Sequence, residues 1–202
     1  MGRYIVFHVW KTWEFLFRFF GRVRPLRRNE PYLFYIAKRR YLGRGFDVDG
    51  VTVRRFDVVV ELHMNNAMLV RTLRDQTSLV GLAVYLLKET RRALPVLAER
   101  LDSNKFQGVN ALYGITFIHR GVDRFGFRIL PIRRPLVRRL ATWHLTNVFR
   151  IVNPNAESIL QEHASVFEPK MVAMSKKHLL AFYGPGGSAH SQTVTHPNHV
   201  LT

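Results

Sequence analysis

Cysteine is absent from all 202 residues, which removes disulfides, thiolate metal ligation and a thiol nucleophile together. That agrees with a reducing compartment. Acidic side chains are also in short supply: 14 Asp and Glu face 31 Lys and Arg, a formal charge of +17 at neutral pH. Long uninterrupted apolar runs are missing as well. The stretch from Met1 to Val23 is hydrophobic, but Lys11, Glu14 and Arg18 interrupt it. A membrane-spanning helix needs about twenty mostly apolar residues, and a signal peptide needs a clean apolar segment before a small-residue cleavage site. The expected location is the cytoplasm, with peripheral contact at the inner face of the membrane left open.

What remains is ample for a folded core. A hydrophobic content of 47%, with 12% aromatic residues, is a globular composition at this length. Arginine supplies most of the positive charge and lysine is scarce. Two explanations stand side by side: GC-rich coding, or an anionic partner such as lipid headgroups, nucleic acid or an acidic polymer.

Periodicity divides the chain into elements. Ile5, Val9, Trp13, Leu16 and Phe20 recur at helical spacing, with Lys11, Glu14, Arg18 and Arg22 opposite them. Residues 1–25 therefore read as an amphipathic helix, either packed on the core or lying at a headgroup boundary. Strands are expected at Leu33 to Leu42, Val51 to Arg55, Asp57 to His63, Ala111 to Ile118, Phe127 to Ile132 and Lys170 to Met174. Asp49-Gly50 is a tight-hairpin signal, and the valine run before His63 is too apolar for an edge. Helices are expected after Asn65 or Asn66, over a leucine-rich stretch ending at Leu101, from Pro135 onward, and from the cap Ser175 to Tyr183. Pro95 should kink the leucine-rich helix or divide it. In the helix from Pro135, the residues Leu136, Leu140, Ala141, His144, Leu145 and Val148 read as the inward side, with Trp143 and His144 in the core. The expected fold is α+β, a single domain over residues 26–184 with a mixed sheet of about five to seven strands and helices packed on it. Residues 185–202 read as a disordered polar tail, in which His190, His196 and His199 are too irregularly spaced for a metal site.

Four segments in order carry a family resemblance. They are the hairpin around Asp49-Gly50, ELHMNN at Glu61 to Asn66, ITFIHRGVDRFGF at Ile115 to Phe127, and MSKKHLLAFYG at Met174 to Gly184. In these the chain resembles the YkoP-like domain, found alone or attached to bacterial polysaccharide deacetylases. The resemblance implies an accessory domain linked to cell-envelope glycan metabolism, with no established reaction. The paired aspartates and His-x-x-x-His motif with which those deacetylases hold a metal are not found here, so deacetylation is not carried over.

The candidate site lies where the strand ending at His63 delivers its polar residues. Glu61 and His63 share one side of that strand, and Asn65 and Asn66 open a helix whose free amides favour anions. A neighbouring strand would bring His119 and Arg120 to the same end. Three readings compete: a buried Glu61–Arg120 pair with Asn65 as a cap; a site for a polar ligand such as a sugar or phosphate; and acid–base or metal chemistry by Glu61 with His63 or His119.

Basic clusters occur at Arg22 to Arg28, at Lys38 to Arg44, and at Arg133, Arg134, Arg138 and Arg139. The last opposes the helix macrodipole, so propensity does not explain it. An anionic surface would, and so would Glu157 or Glu162 folded back upon it. The expected protein is thus a non-catalytic binding domain whose partner is an anionic lipid surface, or an envelope glycan intermediate or protein. No cofactor and no metal are expected. An enzyme of envelope or lipid-linked sugar metabolism is the alternative, and a nucleic-acid binder stands third, lacking any recognisable binding motif.

Overall fold

The structure is a computed structural model that describes residues 23–68, 79–117, 119–152, 156–162 and 168–188. Residues 1–22 of the expected N-terminal helix and the histidines of the tail lie outside the described residues, and the last two residues expected in that helix, Arg24–Pro25, form a strand instead.

Six strands form one mixed sheet in the order β1-β2-β5-β6-β8-β7, and β3 and β4 form a separate hairpin. The strands are β1 (Arg24–Pro25), β2 (Phe34–Arg40), β3 (Phe46–Val48), β4 (Val51–Val53), β5 (Val58–Met64), β6 (Ala111–Thr116), β7 (Arg128–Leu130) and β8 (Lys170–Ser175). Among the described residues the α-helices are α1 (Leu79–Asp102), α2 (Pro135–Val152), α3 (Ala156–Glu162) and α4 (Lys176–Tyr183). This is the expected α+β domain. Among the described residues the one parallel pairing in the sheet joins β5 to β6, and α1 lies in the crossover between them, as parallel neighbours require.

β5 shows how sequence becomes architecture. Val60 and Leu62 turn to one face and join Leu94, Leu97 and Leu101 of α1, Leu112 of β6, Met174 of β8 and Leu179 of α4 in the larger core. Val59 turns to the other face and packs with Tyr41, Phe46, Val48, Val53, Ala111 and Ala173. β5 is therefore central, as its valine run requires.

Pro95 neither divides nor ends α1, which runs unbroken for 24 residues. Leu94, Leu97 and Leu101 on its inner face are wholly buried. Burying them is worth about 1.5–3 kcal/mol each, and together they outweigh the ~3 kcal/mol helix penalty of one proline. Pro25 occupies an edge strand, where a missing amide is tolerated.

The inward side expected for α2 is corrected. Leu136, Leu140 and Trp143 are 72%, 66% and 67% exposed, and His144 is exposed too. Ala141 and Leu145 are half-buried, so only part of the expected stripe faces the protein.

One acid fastens the β3–β4 hairpin to the sheet. Asp49 and Gly50 both adopt positive φ, 49° and 75°, as a two-residue primed turn demands. Asp49 Oδ2 accepts the backbone N–H of Ser175 at 2.9 Å, and Arg128 Nε lies 3.4 Å from its Oδ1. Ser175 in turn caps α4, its hydroxyl accepting from the His178 amide at 3.0 Å. Ser175→Ala should cost about 1 kcal/mol and Asp49→Ala about 1–3 kcal/mol, since a half-buried amide loses its acceptor. Asp49→Asn, which keeps an acceptor and tolerates positive φ, should recover much of the loss. Urea unfolding midpoints measure all three.

Candidate functional site

Alternation along β2, β5 and β6 assembles a polar group on the sheet face opposite α1. Glu61 pairs in register with Ala37 on one side and Tyr113 on the other. Residues directly opposite share a face. Arg39 and His63 lie two residues along their strands and join the same face, whereas Lys38 points away and donates to the Lys105 and Gln107 carbonyls.

Arg39 Nη1 lies 2.8 Å from Glu61 Oε2, and His63 Nε2 lies 3.6 Å from the same oxygen. Burial by itself would push the Glu61 carboxyl up. The nearby His63 imidazole, the charge of Arg39 and the Tyr113 hydroxyl more than offset it and hold that carboxyl below its ordinary value. Tyr113 moves the other way: burial, and then the neighbouring Glu61 charge, keep its phenol protonated far above the usual range. The ground state is therefore a carboxylate held by the Arg39 guanidinium and a phenolic donor, with the His63 imidazole beside it.

Arg39, Glu61 and Tyr113 form part of the wall of a cleft of about 550 Å³. Arg39, Arg40, Arg44, Arg133 and Arg134 contribute to its lining, over an apolar floor that includes Phe46, Ile115 and Met171. Its acids are Glu61 and Asp47. Asp47 accepts from the Thr52 hydroxyl at 2.6 Å, and Glu61 is matched by Arg39. Among the described residues, no ion pair engages Arg44, Arg133 or Arg134. The loop carrying Arg44 is pinned by Tyr41, whose hydroxyl donates to the Arg44 carbonyl at 3.0 Å. Gly43 sits against that hydroxyl so closely that any side chain would collide with the ring.

The other expected site residues lie elsewhere. Asn65 is buried and fully engaged: its amide donates to the Leu33 carbonyl, its Nδ2 to the Tyr32 carbonyl, and its Oδ1 accepts from the Met68 amide. Asn66 follows it at the start of the turn. Arg120 lines a pocket of about 90 Å³ among Leu62, Leu86 and Leu87, on the α1 side of the sheet, and Glu61 pairs with Arg39 instead. His119 has its proton affinity lowered by burial and by Lys170 and Arg120, with Glu168 opposing them. Of the basic cluster at the start of α2, Arg133 and Arg134 reach the cleft, whereas Arg138 and Arg139 line a separate groove on α2. Glu157 folds back on Arg150, at 2.8 Å. Among the described residues no three His, Asp or Glu side chains are grouped to hold a metal.

Sequence reasoning missed Arg39, Tyr113 and Tyr41. The signal for Arg39 was present: in a strand, the middle residue of Lys38-Arg39-Arg40 must face opposite to its neighbours.

A basic α+β domain with an arginine-lined cleft on one sheet face is the class that fold and site define. The YkoP domain family matches residues 3–183, and the chain belongs to that family. It is also similar to the uncharacterized protein YkoP of Bacillus subtilis (strain 168), 25% identical over 132 residues, covering 64% of this chain and 72% of that protein. No solved structure matches.

Because its folded pKa is depressed, Glu61 contributes stability at neutral pH that is lost as pH falls through that pKa. Glu61→Gln should be less stable than the parent by about 1–2 kcal/mol at neutral pH, the pair being partly exposed. The two unfolding curves should converge in acid. Parallel curves across the acid range would show that the ionised carboxylate does not support the fold.

Proposed function

We propose that this protein is a non-catalytic accessory domain that binds a phosphate-bearing ligand of cell-envelope glycan metabolism in the arginine-lined cleft. The observation that carries the reading is the convergence of Arg44, Arg133 and Arg134, without ion-pair partners among the described residues, on one cleft beside Tyr41 and Tyr113. Arginine forks match phosphate oxygens two at a time. The apolar floor suits a ligand with a hydrophobic or ring-bearing part, and about 550 Å³ suits a small molecule. The envelope link rests on the resemblance to domains attached to polysaccharide deacetylases. Nothing in the reading requires a reaction.

A second reading draws on Glu61 and Tyr113 at the cleft wall, with His63 beside Glu61, an arrangement suited to proton transfer within an enzyme of lipid-linked sugar metabolism. The favoured reading gives Glu61 a different task, that of fixing the orientation of Arg39.

Calorimetric titration with inorganic pyrophosphate separates the two. Binding should weaken about 10-fold or more on Arg134→Gln or Arg44→Gln, as the loss of a charge-assisted contact implies, with unchanged melting temperature because both side chains are exposed. Equal affinity in parent and variants, or no heat at all, refutes the cleft as an anion site. Turnover of a sugar phosphate that vanishes in Glu61→Gln, with affinity retained, favours the enzyme.

A further inference from the structure

The outer face of α2 is separate from the cleft. Leu136, Leu140 and Trp143 follow one another at spacings of four and three, which places them in a single stripe along the helix. All three are largely exposed, and none of them lines the cleft. Beside Trp143 lies an open groove of about 570 Å³ whose walls include Arg138, Arg139 and Arg150, the last paired with Glu157, and the acid Glu168, itself paired with Lys170. An exposed apolar stripe on a soluble surface calls for a cover, and the surroundings indicate which kind. A protein core would meet this stripe with apolar neighbours; here the flanks are guanidinium groups. Leucine and tryptophan with arginine alongside them form the pattern of a helix lying at a bilayer boundary, apolar side chains among acyl chains and cations at headgroup level. The +17 charge of the chain adds a long-range attraction to an anionic leaflet.

We propose that α2 docks this protein onto an anionic lipid surface, with Leu136, Leu140 and Trp143 entering the interface and the arginine groove beside Trp143 holding lipid phosphates. The docking face is this helix, independent of what the cleft binds. No described helix is long and apolar enough to cross a membrane, so the contact is peripheral.

The full chain with Trp10→Phe and Trp13→Phe retains Trp143 as its one tryptophan and reports directly on α2. Mixed with phosphatidylcholine vesicles containing phosphatidylglycerol, its emission should shift to the blue, with no shift on phosphatidylcholine alone and a weaker one in high salt. Leu140→Asp should reduce co-sedimentation with the anionic vesicles about 10-fold or more while leaving the melting temperature in place, as an exposed position allows. Arg139→Gln should weaken binding less and flatten its salt dependence. An absent shift overturns the proposal. So does vesicle binding that survives Leu140→Asp, which would assign the contact to another segment such as residues 1–22. A dimer in sedimentation that Leu140→Asp dissolves, without vesicle binding by the parent, would assign the stripe to a second copy of the chain and overturn it equally. The pyrophosphate titration is untouched by any of these results.

Discussion

The two-residue alternation of side chains along β5 is the constraint on which the rest of the molecule depends. Val60 and Leu62 are committed to the core under α1, and burying them fixes the register of the strand. Once that register is set, Glu61 and His63 have no choice of face. A slip by one residue would drive a carboxylate and an imidazole into hydrocarbon and turn two apolar side chains toward the cleft. The neighbours follow: Arg39 on β2 and Tyr113 on β6 reach Glu61 because pairing to β5 places them level with it or one pleat away. The polar group is a by-product of packing on the opposite side of the sheet.

Scarcity of acid then gives the charge its character. With few carboxylates available, Glu61 is spent on Arg39, Asp49 on the Ser175 amide and Arg128, and Glu157 on Arg150. Among the described residues, Arg44, Arg133 and Arg134 at the cleft and Arg138 and Arg139 on α2 are left without an ion-pair partner. Their like charges repel one another.

Much of this was legible in the residues. The central strand, the Asp49-Gly50 turn, the Ser175 cap and the mixed sheet all followed from short-range chemistry that the tertiary structure leaves alone. The misreadings share a cause. Of the two effects expected of Pro95, a kink or a division of the helix, the division does not occur, because its flanking leucines are buried too deeply for a local penalty to decide. The inward stripe of α2 was chosen by counting apolar residues, and the count is blind to a helix that displays its hydrophobic side chains outward. Glu61 was recognised as a site residue yet assigned Arg120 as partner, because the end of a strand was taken as the meeting place; lateral pairing across β2 was the stronger geometry. His119 and Arg120 fail to join it for that reason.

Asp49 and Ser175 are 126 positions apart in the chain, and the bond between them anchors the hairpin that stands beside the cleft. Closing so long a loop early is entropically unfavourable. A ribosome extruding this polypeptide therefore releases the hairpin long before its tether emerges, and the cleft wall is complete only when β8 slots in between β6 and β7. Assembly of the cleft is thereby coupled to completion of the sheet.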